Sequence, residues 1–85
     1  MYYFYVLQSQ KDTTWFYKGS TPDLKKRFEK HNKGEVVSTK PYKPFKLVYY
    51  EAYLNKESAI NREMSVKNSG SVWKPLMKRI HRSLE

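Results

Sequence analysis

The sequence contains no cysteine, only three glycines and no long apolar run, and each absence excludes a class of protein. Without cysteine the chain forms neither disulfides nor thiolate metal sites, which is typical of proteins in a reducing compartment. No segment approaches the ~20 apolar residues of a membrane-spanning helix. The apolar residues 1–7 lack the basic segment and the cleavage site of a signal peptide. We therefore predict a cytoplasmic protein that does not associate with membranes.

The scarce residue types also exclude several kinds of active site. The glycines do not form a phosphate-binding loop or a dinucleotide fingerprint. The two histidines, His31 and His81, are too far apart for a zinc-binding spacing. No serine lies in the strand-to-helix turn that carries the nucleophile of many hydrolases. Any chemistry must therefore come from other side chains.

Acidic residues are few as well, with 8 Asp and Glu against 17 Lys and Arg, for a net charge of +9. The 85 residues suffice for one domain with a thin core. Such a charge favours a polyanionic partner, with nucleic acid the first candidate and an anionic membrane the second. Aromatic residues make up 16% of the chain and include eight tyrosines. These rings can stack on bases, although at least half of the tyrosines are expected to pack in a small sheet.

Three segments rich in Tyr, Phe and Val predict strands at residues 1–8, 15–18 and 45–53. The polar residues 8–14 predict a hairpin with a longer loop between the first two strands. The first strand is apolar at both odd and even positions, which is typical of a central strand covered on both faces.

The segment 35–44 contains two prolines and nearby lysines, including Lys40 and Lys43. This composition predicts an extended basic loop and argues against a helix. Two interpretations remain open at this point: the loop contacts phosphates, or it is only a solvated connector.

The first helix is predicted over residues 22–33, with Ser20 or Thr21 as N-cap, Pro22 at the first helical position and Gly34 as the left-handed exit.

A second helix is predicted over residues 56–68, capped by Asn55 and ended by Ser69 and Gly70. The segment 71–75 then predicts a break, because it ends in a proline. A third, amphipathic helix is predicted from Leu76 to the end of the chain.

Two of these helices carry titratable residues on their apolar faces. At 100° per residue, Arg27 and His31 fall on the same stripe as Leu24 and Phe28. One interpretation is structural, with the stem of Arg27 buried and its head reaching water. The other is that both side chains are aimed at a site.

Glu63 repeats this conflict in the second helix, where it falls between apolar positions. A buried and unpaired carboxylate is costly, so Glu63 needs a cation or must stay protonated. The structural alternative is an ion pair with Arg62, Lys67 or Arg27.

Together the two helices aim Arg27, His31 and Glu63 at a sheet that offers Tyr5 and Tyr17. A carboxylate can hold a hard cation, a guanidinium matches phosphate, and phenols can pass protons. Beside a basic surface, this set of groups indicates metal-assisted hydrolysis of a phosphodiester.

The ordered segments 3–7, 16–21, 23–32, 46–51 and 59–63 resemble the GIY-YIG nuclease domain, specifically its small stand-alone bacterial endonuclease type. The resemblance covers nearly the whole chain. It implies an α+β fold, in which a small three-stranded antiparallel sheet is flanked by about three helices, and a single domain over residues 1–85. It also implies one divalent metal ion, Mg²⁺ or Mn²⁺.

The resemblance assigns a role to each residue of the set. Tyr5 corresponds to the tyrosine of the first motif and Tyr17 to that of the second. Arg27 matches the helix arginine, His31 the histidine or tyrosine one turn later, and Glu63 the metal-binding glutamate. Which of Tyr5, Tyr17 and His31 acts as the general base stays open, since an unperturbed phenol with a pKa of ~10 is a poor base at neutral pH.

The chain departs from the family pattern in both motifs. The first reads Tyr3-Phe4-Tyr5, without the usual glycine and isoleucine, and the second has Lys18 in place of an isoleucine. If Lys18 points outward it adds a phosphate contact, and if it points inward it disturbs the core.

The function implied is a metal-dependent endonuclease acting on DNA, directed by structure or weakly by sequence. Four lysines are expected to contact the nucleic acid: Lys18, Lys40, Lys43 and Lys67. The alternatives are a non-catalytic nucleic-acid-binding module, or a nuclease subunit that needs a partner protein for specificity.

Overall fold

The computed structural model describes all 85 residues and contains a three-stranded antiparallel sheet with three α-helices. The elements are β1 (Tyr2–Ser9), β2 (Phe16–Thr21), α1 (Leu24–Asn32), β3 (Phe45–Tyr53), α2 (Lys56–Asn68) and α3 (Gly70–Leu84). The strand order is β2-β1-β3. This architecture confirms the predicted α+β fold. None of the helices combines the length and apolarity that crossing a membrane requires.

Strand β1 is the central strand, and it is buried on both faces from Phe4 to Ser9. On one face Phe4 and Val6 pack against α2 and α3, in a cluster completed by Val66, Leu76 and Ile80. On the other face Tyr5, Leu7 and Phe45 form a second cluster, which Leu24 and Phe28 of α1 cover. The alternation of side chains along one buried strand therefore creates two separate cores.

Helix α1 begins two residues later than the sequence predicts. Its N-cap is Asp23, whose carboxylate accepts a hydrogen bond from the backbone N–H of Lys26 at 3.1 Å. The predicted caps Ser20 and Thr21 are instead the last residues of β2. Strand pairing occupies them, so the prediction was wrong about the cap.

The end of α1 agrees with the prediction, because Gly34 has a φ of 75°, in the left-handed region. Asn55 also caps α2 as predicted, accepting from the backbone N–H of Ser58 at 2.8 Å.

The loop between α1 and β3 is not fully extended, since Lys40–Tyr42 form a single 3₁₀ turn. Tertiary contacts explain this correction. The Tyr42 ring stacks on Trp15, with ring centroids 3.9 Å apart and planes 5° from parallel. The Ser9 hydroxyl also donates a hydrogen bond to the Tyr42 carbonyl. The turn is thus held by side chains distant in the sequence.

Helix α3 begins at Gly70 and not at Leu76, so the predicted break at residues 71–75 was wrong. Pro75 lies inside the helix. The turn before it is secured by backbone N–H groups of Val72 and Trp73, which both donate to the Ser69 carbonyl at 3.1 and 3.0 Å. The side chains of Val72 and Trp73 also pack against the apolar cluster that contains Phe4 and Val6. Packing therefore outweighs the local cost of a proline.

Glu51 of β3 holds β3 to α2 through a group of charge-assisted hydrogen bonds. The phenols of Tyr49 and Tyr53 each donate to its carboxylate at 2.6 Å, and Arg62 of α2 donates to both oxygens at 3.0 and 3.2 Å. Burial alone would raise the pKa of Glu51, but these donors outweigh it and hold the pKa below its ordinary value of 4.5. The charged form of Glu51 is therefore stabilised by folding.

We predict that Glu51→Gln lowers the free energy of unfolding at neutral pH by about 2 kcal/mol, because two phenols and the Arg62 guanidinium lose an ionised acceptor. A carboxylate with a depressed folded pKa stabilises the fold above its unfolded pKa and loses this contribution as the pH falls. The difference between wild type and variant should therefore shrink below about pH 4.5. Urea unfolding at neutral pH and below pH 4.5 measures this difference in the free energy of unfolding. The exposed Glu57→Gln is the control. A difference that is independent of pH would contradict the assignment.

Candidate active site

The two tyrosines of the predicted site lie together on the face of the sheet that α1 covers. In the β1–β2 register Gly19 is opposite Tyr5, and Tyr17 is opposite Leu7. Tyr5 and Tyr17 are therefore diagonal neighbours on one face, with ring centroids 6.2 Å apart.

Gly19 makes room for this arrangement. A Cβ atom at this position would lie 2.6 Å from the Tyr5 hydroxyl oxygen and 2.9 Å from the Tyr17 ring. Both distances are shorter than any real Cβ contact. The absence of a side chain therefore lets the Tyr5 ring lie directly against Gly19. The glycine of the second motif thus has a steric role.

His31, at the end of α1, is fully buried and connects two hydroxyl groups. Its Nε2 lies 2.8 Å from the Tyr5 hydroxyl, and its Nδ1 lies 2.8 Å from the Thr39 hydroxyl. The Thr39 hydroxyl donates to the carbonyl of Val36 at 3.3 Å, and a carbonyl can only accept. Nδ1 therefore carries the proton, and Nε2 accepts a hydrogen bond from Tyr5. The chain runs in one direction, from Tyr5 through His31 and Thr39 to Val36.

The two titratable members of this chain are both held neutral at pH 7. Burial raises the pKa of Tyr5 to about 12, although Arg27 opposes this shift. Burial, helped by the charge of Arg27, lowers the pKa of His31 to about 4. Tyr5 is therefore protonated at neutral pH, whereas His31 is an unprotonated but weak base whose Nε2 already accepts a hydrogen bond from Tyr5.

Arg27 lies one turn before His31 on α1, beside the two phenols. Contact with the Tyr5 oxygen is the largest effect that raises the pKa of the guanidinium, and Tyr17 adds to it. The side chain is half-buried, so it is charged and still reachable from solvent. Arg27 therefore supplies a fixed positive charge next to both hydroxyl groups.

Glu63 approaches the same site from α2. Its carboxylate accepts from the Lys67 ammonium at 2.6 Å, one turn along the helix. Of the three ion-pair partners considered from the sequence, the structure selects Lys67; Arg62 binds Glu51 instead. Lys67 in turn lies 5.8 Å from the centroid of the Tyr17 ring, so the ion pair brings the Glu63 carboxylate to the Tyr17 side of the site.

Glu63 is the one protein carboxylate that this site offers to a cation. Nowhere in the protein do three or more His, Asp or Glu residues gather as a metal cage. Mg²⁺ commonly keeps several waters and binds through one or two carboxylates together with substrate phosphates. The donor set fits a metal held by Glu63 and a phosphodiester, and does not fit an all-protein metal centre.

The four lysines expected to bind nucleic acid lie in three places. Lys67 lies 5.8 Å from the centroid of the Tyr17 ring, within the site. Lys18 points neither into the core nor freely outward: its ammonium lies 4.0 Å from the centroid of Trp73, and burial lowers its pKa. Lys40 and Lys43 are exposed beside Gly34, beyond the far end of α1 from Arg27. The structure does not bring these last two to the site.

Thr39 was not among the residues predicted from the sequence, although it is fully buried and fixes the tautomer of His31. Nothing in the local pattern distinguishes it, because it lies in a polar loop between a serine and a lysine. Its role depends on the 3₁₀ turn that follows it and on the exit of the chain from α1.

We predict that Gly19→Ala displaces the Tyr5 ring, breaks its hydrogen bond to His31 and costs about 1–3 kcal/mol of stability, as overpacking does. Urea unfolding and the NMR signals of the His31 ring measure both effects. Gly70→Ala is the matched control, because a Cβ there meets no atom within 4 Å. An unchanged His31 environment in Gly19→Ala would contradict the steric role.

Comparison with known proteins assigns the chain to a family. Residues 1–74 match the family model described as the GIY-YIG catalytic domain. A UPF0213 protein of Pediococcus pentosaceus is 39% identical over 67 residues, covering 78% of this chain and 68% of its own. A UPF0213 protein of Streptococcus pyogenes serotype M5 is 41% identical over 66 residues, covering 76% and 70%. No solved structure matches the chain.

These names describe no activity, but the matched family is one of nucleases, which act on nucleic acids. The match spans the strands and helices that carry Tyr5, Tyr17, Arg27, His31 and Glu63. It confirms the resemblance drawn from the ordered motifs. The chain belongs to the GIY-YIG family of nuclease domains.

Proposed function

We propose that residues 1–85 form a single nuclease domain that hydrolyses phosphodiester bonds in DNA with the help of one divalent metal ion. The observation that carries this proposal is the convergence, at the β2 edge of the sheet, of a carboxylate, a guanidinium and two phenols beside an excess of positive charge. A module that only bound nucleic acid would have no need of Glu63 in this position.

Within this proposal Arg27 binds the phosphate that is cleaved. Its guanidinium neutralises the charge that develops on the phosphate oxygens, as fixed positive groups do in the transition states of phosphoryl transfer. Lys67 and Lys18 extend the positive surface from the same edge of the sheet. Because contacts of this kind read the backbone and not the bases, binding should be weakly specific and strongly dependent on salt.

Glu63 is the residue that would hold the metal, Mg²⁺ or Mn²⁺, in exchange for its ion pair with Lys67. When bound, such an ion polarises a phosphate oxygen and stabilises the leaving oxygen. The released ammonium of Lys67 then remains next to the substrate and can pair with a phosphate.

The two phenols have different tasks in this scheme. Tyr5 donates a hydrogen bond to His31, and its pKa of about 12 keeps it protonated at neutral pH. Tyr17 is only half-buried, lies beside Arg27 and makes no hydrogen bond to His31, whose two nitrogens bind Tyr5 and Thr39. We therefore assign to Tyr17 the contact with the attacking water, and to Tyr5, His31 and Thr39 the positioning of that face of the site.

One observation favours a second candidate, a binding module without catalysis. The carboxylate of Glu63 is already neutralised by Lys67, as in an ordinary ion pair on a helix. Under this alternative, Glu63→Gln would leave the interaction with nucleic acid intact and no cleavage would be seen in the wild type.

We predict that wild type nicks supercoiled plasmid and cleaves labelled branched DNA with Mg²⁺ or Mn²⁺, and that Glu63→Gln and Arg27→Ala each slow cleavage by about 100-fold or more. Exposed residues away from the site supply the controls, Glu57→Gln and Arg82→Ala, which should cleave like wild type. Full cleavage by Glu63→Gln would overturn the metal role. No cleavage by wild type, with tight binding that is sensitive to salt, would favour the binding module.

We also predict that Thr39→Val slows kcat by about tenfold with KM unchanged, because the Nδ1–H of His31 loses its acceptor and the tautomer is no longer fixed. Thr39→Ser keeps the hydroxyl and should restore the rate. The ¹⁵N NMR shifts of His31 should change from one tautomer to a mixture in Thr39→Val only. A loss of stability without a change of tautomer would contradict the positioning role.

A further inference from the structure

An open groove with a volume of about 530 Å³ lies between the start of α1 and the β1–β3 side of the sheet. Its walls are mostly apolar and aromatic, and include Tyr3, Leu24, Lys25, Phe28, Leu47 and Tyr50. The volume falls within the range of ~300–1,000 Å³ that is typical of small-ligand sites. None of the residues assigned to catalysis lines this groove.

The tyrosines of this aromatic groove are available for binding. The rings of Tyr3 and Tyr50 meet edge to face, with centroids 6.1 Å apart, and Tyr50 is 55% exposed. The phenols of Tyr49 and Tyr53 on the opposite side of β3 are both engaged by Glu51. The hydroxyl groups of Tyr3 and Tyr50 have no such partner in the protein.

A second, basic groove of about 300 Å³ lies on the other side of α1. Three of its six lining residues are cations: Lys26, Arg27 and Lys30. The two grooves share Pro22 and Asp23, so they meet at the start of α1. Arg27 connects the basic groove with the active site.

We propose that the aromatic groove binds an unpaired nucleobase of the strand whose phosphates occupy the basic groove. This inference rests on the proposed function and extends it to a class of substrate. A nucleotide combines an anion with a flat aromatic ring, and the two adjoining grooves offer cations on one side and aromatic rings on the other. The free phenols can hydrogen-bond the edge of the base, and Lys25 adds a cation at the rim.

The positive charge around the grooves favours a nucleic-acid strand as their occupant over a second copy of the chain. Lys25, Lys26 and Lys30 surround the grooves, and the protein carries a net charge of +9. Like charges would oppose two copies meeting here, whereas they attract a polyanion. A base in a duplex is paired and stacked, so the groove selects single-stranded or locally unpaired DNA.

The test compares a labelled oligothymidylate with an abasic strand of the same length, which carries the same phosphates without bases. Fluorescence anisotropy in EDTA measures binding without cleavage. Wild type should bind the thymidylate at least about fivefold more tightly, as expected for one stacked base. Tyr50→Ala and Tyr50→Leu should remove this preference and leave binding of the abasic strand unchanged. Tyr2→Ala, on the opposite face of β1, is the matched control and should retain it.

Three binding results would overturn the base site: equal binding of both strands by wild type, a preserved preference in Tyr50→Ala, or an equal loss for both strands in Tyr50→Ala. Dimerisation of wild type in sedimentation, abolished by Tyr50→Ala, would assign the groove to a second copy and also overturn it. The proposed nuclease function is tested separately by Glu63→Gln. If that variant cleaves fully while Tyr50→Ala loses the preference, the metal role fails and the base site stands.

Discussion

The burial of β1 on both faces is the constraint on which the rest of the structure depends. A polar group on a strand without access to water must find a partner inside the protein. The Tyr5 hydroxyl finds His31, which needs a second partner and finds it in Thr39. Ser9, at the end of the strand, binds the Tyr42 carbonyl. The hydrogen bonds that satisfy the polar groups of β1 thus fix the end of α1 and the loop that follows, and the candidate active site includes the same hydrogen bonds.

Two adjacent residues of α2, Arg62 and Glu63, form ion pairs on different sides of the helix. Arg62 binds Glu51 on the side of the larger core, while Glu63 pairs with Lys67, which lies 5.8 Å from the centroid of the Tyr17 ring. Successive helical positions differ by about 100°, so one short helix can do both. The carboxylate with the most donors is the structural one, and the carboxylate with a single exchangeable partner is the one available to a cation. The environment of each group, and not its residue type, separates the two roles.

The sequence was most informative where one local pattern dominates. The strands and α2 follow from their composition and caps, and the conflict on the apolar faces identifies Arg27, His31 and Glu63. It was misleading where distant contacts decide: Ser20 and Thr21 belong to β2, and Trp73 holds α3 helical through the proline. Thr39 could not be found at all, because a buried threonine in a polar loop has no periodicity. Its burial is a property of the assembled chain.

The cation–π contact between Lys18 and Trp73 connects the second motif to the last helix. That helix extends to Leu84, ten residues beyond the segment shared with the family, and its Leu76 and Ile80 complete the core around Phe4 and Val6. The boundary of the family match is therefore not a physical boundary of the fold. A domain cut at residue 74 would keep every residue of the candidate site. It would lose Leu76 and Ile80 from the core around Phe4 and Val6. The residues of the candidate site thus all lie before residue 74, whereas the core that supports them extends to Ile80.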